Sequence, residues 1–115
     1  MMKLDPHEKI YDVLSKTGFP VEFDTYTGTE KKYITYFEVF EKTELTSEDV
    51  DEVIGHDFQV DVFSNEDPTE IKNKVVKALK ENGFYQITCQ DLYEADTGMY
   101  HKAITCYLPE YKTEN

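Results

Sequence analysis

Three histidines, two cysteines and a run of carboxylates are the residues of this chain with chemistry beyond packing. His56 stands beside Asp57, and Glu94 lies near His101. Either could form an acid/base pair, in which a carboxylate orients an imidazole for proton transfer. The same neighbours are equally ordinary at strand ends. No two of His7, His56 and His101 have the spacing of HxxxH or HExxH, so no helix presents a zinc-binding histidine pair. Glu48-Asp49-Val50-Asp51-Glu52 is acidic, yet it lacks the alternating oxygen ligands and fixed glycine of a calcium loop. There is no GxSxG, no phosphate-binding loop and no dinucleotide fingerprint. The sequence therefore assigns no catalytic, cofactor-binding or metal-binding residue, implies no cofactor, and reads as a binding protein rather than an enzyme.

Cys89 and Cys106 are too few for a disulfide scaffold or a zinc finger. They read as free thiols acting as small core residues. Their geometry depends on the hairpin that joins them. A four-residue loop between Ala95 and Tyr100 sets Cys89 opposite Cys106, whereas a three-residue loop sets Thr105 opposite Cys89. Leu92 falls out of parity with Cys89, which points to a bulge near Gln90-Asp91.

These residues must be positioned by regular elements, and the sequence punctuates them clearly. Asp5-Pro6-His7-Glu8 has the form of a helix start with a capping box. Ile10, Val13 and Leu14 follow on one face, and Gly18 ends the helix. Asp67-Pro68-Thr69-Glu70 repeats the start. Ile71, Val75, Val76 and Leu79 repeat the stripe, and Gly83 repeats the stop. The two copies resemble a duplication of a helix followed by strands, or simply good helix punctuation used twice. Strand signals cover 21–26, the doubly apolar 33–41, the alternating Phe58-Gln59-Val60-Asp61-Val62, and a hairpin of 84–94 with 99–108 around Asp96-Thr97-Gly98. The expected fold is one α+β domain over 1–115. Its mostly antiparallel sheet carries two helices on one face, in the order α-β-β-β-α-β-β. Residues 41–57 hold seven carboxylates and one lysine and read as a long, mobile acidic loop.

Composition narrows the partners. The chain has 115 residues, 39% of them hydrophobic, with nine Tyr, seven Phe and no Trp. One core fits that length, and the tyrosines suit either half-buried strands or protein interfaces. The net charge is −12, and every basic residue is a lysine. Without arginine and with this charge, the chain is not built to neutralise phosphates, whether of nucleic acid or of a membrane surface. No stretch approaches the ~20 apolar residues of a membrane span. The first residues lack the apolar core of a signal peptide, so a cytoplasmic setting is expected.

Several stretches together resemble a known family. They are Gly18-Phe19-Pro20-Val21, Tyr33-Ile34-Thr35-Tyr36, Ile54-Gly55, Gln59-Val60-Asp61-Val62-Phe63-Ser64, the lysine-rich helix ending in Gly83-Phe84, and above all DLYEADTGMYHK over 91–102. In this order, over nearly the whole chain, they are similar to the small tail-completion (tail-terminator) proteins of long-tailed bacteriophages and prophages. The resemblance implies a ring-forming homo-oligomer, commonly a hexamer, at the head-proximal end of the tail tube. There it would stop tube growth and meet the head connector, after assembly in the bacterial host cytoplasm. It carries no catalytic positions. Two other classes compete: an acidic inhibitor or immunity protein masking a basic partner, and a small enzyme using His56 or His101. From the charge alone, the isolated chain is expected not to shift duplex DNA in a mobility assay at physiological salt. Tight binding that weakens steeply with salt would overturn this reading of the composition.

Overall fold

The computed structural model describes residues 4–46 and 51–113. The element order is α1 (Pro6–Ser15), β1 (Val21–Phe23), β2 (Lys32–Thr46), β3 (Asp51–Ser64), α2 (Thr69–Glu81), β4 (Tyr85–Glu94) and β5 (Met99–Thr113). This is the expected α+β order. The five strands form one sheet in the order β1-β2-β3-β5-β4. Every pairing is antiparallel except β1 with β2, which is parallel.

Local chemistry explains the helices. Asp5 accepts a hydrogen bond from the Glu8 amide at 2.8 Å, and the Glu8 carboxylate in turn accepts one from the Asp5 amide. That is the capping box written in the sequence. The second start differs. Asp67 accepts from the Thr69 amide and hydroxyl, and the helix begins at Thr69 without a side-chain cap. The two D-P-x-E motifs thus build different first turns. Both helices end at a glycine in the left-handed region, Gly18 at φ 92° and Gly83 at φ 86°, where a side chain would be strained.

One core holds the layers together. Phe58, Val60 and Val62 of β3 pack with Ile34 and Tyr36 of β2 and with Ile104, Cys106 and Leu108 of β5. Ile10, Val13 and Leu14 of α1 and Ile71, Val75 and Leu79 of α2 close over them. The other face of the sheet carries a ladder of rings. Tyr26 stacks on Tyr33 at 4.1 Å, Tyr33 on Phe63 at 4.9 Å, and Phe63 on His101 at 4.3 Å. The register sets it up, since Tyr33 faces Phe63 and Phe63 faces His101 across neighbouring strands.

The acidic segment departs from the expectation. Residues 41–46 and 51–57 are not a loop but the paired ends of β2 and β3, with β5 alongside 51–57. Residues 47–50 lie outside the described residues. The carboxylates are compatible with strands because alternation sends them to the two faces in turn, and pairing on both sides of β3 satisfies the backbone. A 15-residue strand at ~3.3 Å per residue reaches about 50 Å, which matches the 53 Å long axis. Two register shifts, at Glu38/Phe40 and Thr43/Leu45, bend β2 along this extension.

The β4–β5 hairpin also differs in register. Glu94 pairs with Met99, so Cys89 faces Ile104 rather than Cys106 or Thr105. The loop has four residues, 95–98, set one residue earlier than the four-residue loop expected between Ala95 and Tyr100. The bulge lies between Tyr85 and Thr88, with Gln86 at φ 51°, and not near Gln90-Asp91. Cys106 is buried as expected, but Cys89, on the edge strand β4, is exposed and is not a core residue.

Gly55 has a packing role. A Cβ there would stand 2.7 Å from the Tyr107 ring and 2.8 Å from the Glu44 side chain. The ring lies across the glycine. Gly55→Ala is expected to lower stability by about 1–2 kcal/mol through this overlap. In denaturant unfolding, adding Tyr107→Ala should cost less than the sum of the two single changes. Strict additivity would place the cost elsewhere.

Candidate functional site

The described histidines all find carboxylates, but not those adjacent in sequence. His56 is only 4% exposed. Its Nδ1 meets Glu38 Oε2 at 2.5 Å and its Nε2 meets Glu110 Oε1 at 2.9 Å. His7, from the first turn of α1, places Nε2 2.8 Å from the other oxygen of Glu38. Three strands and one helix therefore converge on a single ionic cluster at the end of the core. Asp57 points to the opposite face from His56, as neighbours in a strand must. His101 likewise pairs with Asp61 at 2.6 Å, not with Glu94. Gln59 donates to Asp61 at 2.9 Å, so this buried carboxylate is satisfied from two sides.

The electrostatics follow from the geometry. Burial by itself disfavours the charged form of His56, but the hydrogen bonds and charges of Glu110 and Glu38 outweigh it and hold the pKa above its ordinary value of 6.5. For Glu38, burial raises the pKa. The hydrogen bonds from His56 and His7 outweigh that and leave it below 4.5. A carboxylate at each ring nitrogen favours the imidazolium form of His56, which donates through both. Such a group orients strands. It has no free nitrogen with which to accept a proton from a substrate.

Donor atoms of Glu38, Glu41 and His56 lie within 4.8 Å of one another, so these are the residues that could hold a cation. A cation there would have to displace the Glu38–His56 hydrogen bond. Cys106 is pushed up to about 12 by burial, reinforced by the charge of Asp57, which keeps it an inert thiol. A hollow of about 470 Å³ lies at the hairpin end, lined by Asp67, Asp91, Tyr93, Tyr100, His101 and Lys102 among others. Its histidine turns its Nε2 away to Asp61 and stacks on Phe63. The acidic run 48–52 falls largely outside the described residues.

Sequence reasoning named His56 and His101 but missed Glu38, Glu110 and Asp61. A signal was present. Glu38 continues the stripe of Ile34 and Tyr36, His56 continues that of Phe58 and Val60, and Glu110 continues that of Cys106 and Leu108. Polar residues on the extrapolated line of three apolar stripes are candidates for one cluster.

No protein-family model matches the chain, and no curated protein matches it in sequence. Solved structures do match: 29 chains share the fold. One of them belongs to the virion of a native gene transfer agent (GTA) particle, at a TM-score of 0.56 and 11% identity. The likeness covers 90% of this chain and 92% of that one. At this identity it defines a shared α+β fold.

The ionic cluster makes stability depend on pH in a definite direction. The contribution of His56 is complete below 6.5 and is lost as pH rises through its raised folded-state pKa. That of Glu38 is complete above 4.5 and is lost as pH falls through its lowered one. Unfolding free energy is therefore expected to be greatest between these limits and to decline on both sides. His56→Gln should flatten the alkaline decline in denaturant titrations. An unchanged alkaline limb in that variant would refute the assignment.

Proposed function

We propose that this chain is a structural subunit of a phage or prophage tail, of the tail-completion type. It forms a ring at the head-proximal end of the tail tube and joins the tube to the head connector. The observation that carries the reading is the likeness to a chain of a gene transfer agent virion over nearly the full length of both. The resemblance of 91–102 and the preceding stretches to tail-completion proteins supports it independently. Action by binding fits a chain whose buried histidine is committed to strand-to-strand ion pairs.

The surface suits assembly. β4 is an edge strand exposed along nearly all its length, and beyond Phe37 the outer edge of β2 has no β1 partner. Unpaired edges and exposed rings such as Tyr93, Tyr85 and Phe40 are surfaces on which protein partners pair and pack. The subunit would be made in the host cytoplasm and end in the virion tail, bound to itself, to tube protein and to connector.

The test is tube growth. Purified tail-tube protein from the same phage or prophage is polymerised with and without this chain. Short tubes bearing the chain at one end, seen by electron microscopy, are the expected result. Tubes of unchanged length with no bound chain would refute the reading.

A further inference from the structure

Charge is not spread evenly over the molecule. α2 carries Lys72, Lys74, Lys77 and Lys80 against Glu70 and Glu81, so it is net positive in a chain of net charge −12. Lys74 pairs weakly with Glu70 of its own helix at 3.5 Å. Among the described residues, Lys72, Lys77 and Lys80 have no ion-pair partner, although the chain has 24 carboxylates. Lys74 and Lys77 also border a shallow groove against α1, in which Val13 and Ala78 lie.

The opposite charge lies on the extension of β2, β3 and β5. Alternation from Phe58 and Leu108 places Glu52, Ile54, Glu110 and Lys112 on the same side of the sheet as the helices, and the register adds Glu41 and Thr43, with Lys112 directly across from Glu52. α1 reaches this side with His7 at Glu38. Beyond it, Thr43 is exposed and Glu52 and Ile54 are half-exposed. Neither Glu41 nor Glu52 has an ion-pair partner among the described residues. The helical layer thus stops short of the sheet it covers, leaving a ledge with Ile54 on it, where Glu41, Glu52 and Glu110 outnumber the single Lys112.

We propose that the ledge receives α2 of a second copy of this chain. The partner's lysines face Glu41 and Glu52, and its helix extends the helical layer over the bare strands. This deepens the ring reading above, on which it rests for self-association, and names the contact. The two patches are different surfaces of one molecule, so the contact is head to tail, and repetition gives a ring or a filament rather than a two-fold dimer. A second copy is the occupant whose charge matches at both ends. Paired in this way, lysines and carboxylates set the register and reject other acidic surfaces.

Charge reversal tests the contact. One variant carries Lys77→Glu and Lys80→Glu; the other carries Thr43→Lys and Glu52→Lys, which leaves the His56 cluster untouched. Circular dichroism and thermal unfolding confirm that each folds. Sedimentation of the wild-type chain should show association that weakens with salt. Each variant alone should associate at least about tenfold more weakly. Mixed together, they should recover association, because each then offers the patch the other needs. Wild-type association unaffected by either variant, or no recovery on mixing, overturns the proposal, as does a wild-type chain that never associates. Tubes capped normally by both variants would sink this contact while leaving the tail-completion reading intact. Normal charge-swap behaviour without tube capping would do the reverse.

Discussion

Pairing of β3 on both sides is the constraint on which the rest of the structure depends. All fourteen residues of β3 have a partner in β5, and nearly all have one in β2. Because side chains alternate, this one register decides three things at once. It puts Phe58, Val60 and Val62 under the helices. It aligns Phe63 with Tyr33 and His101 in the ring ladder on the other face. It also delivers His56 to Glu38 and Glu110 from the two flanking strands. A slip of one residue would turn Gln59 and Asp61 toward the helices and the core stripe to the other face, so the alternatives are strongly penalised.

The ionic cluster is best understood as a guard on that register. Burying an imidazolium and two carboxylates costs solvation, and such groups rarely add more stability than a packed apolar cluster would. What they add is exclusivity. His56 is satisfied only when a carboxylate stands at each nitrogen, and only one alignment of three strands provides that. The position matters too. The cluster sits where the helices end and the sheet runs on, so the polar groups close the core at the point where apolar cover gives out.

Helix starts, glycine stops, the order of elements along the chain and the core stripes were legible in the sequence because each is local. The punctuation lies within a few residues, and the stripes have periods of 3.6 or 2. What was not legible depends on partners far away in the chain. Residues 41–46 look like loop because they are charged, yet they are strand because β3 lies beside them. The hairpin register turned on one residue in the loop, and a one-residue error moved Cys89 from Cys106 to Ile104. Glu38 lies 18 residues from His56, and Glu110 lies 54. No local pattern joins them, so the sequence offered Asp57 instead.

Segregated charge follows from the same architecture. Strands with both faces near water can carry carboxylates on either side, and the extension does so. The helices must devote one face to the core, which leaves a narrow outer face, and on α2 lysines fill it. In a monomer this arrangement is wasteful, since carboxylates outnumber the one lysine on the ledge while the lysines of α2 find few partners. Within about 8 Å at physiological ionic strength such fields are still felt, so a neighbour presenting the opposite patch would relieve both. In a ring whose lumen passes DNA, neutralising the lysines between subunits would leave the unpaired carboxylates as the exposed charge. A wall of that sign lets a phosphate backbone slide by without holding it. In the proposed ring, the abundance of acid and the placement of the few bases would be two parts of one design: the bases would bind the subunits to each other, and the acids would keep the passage clear.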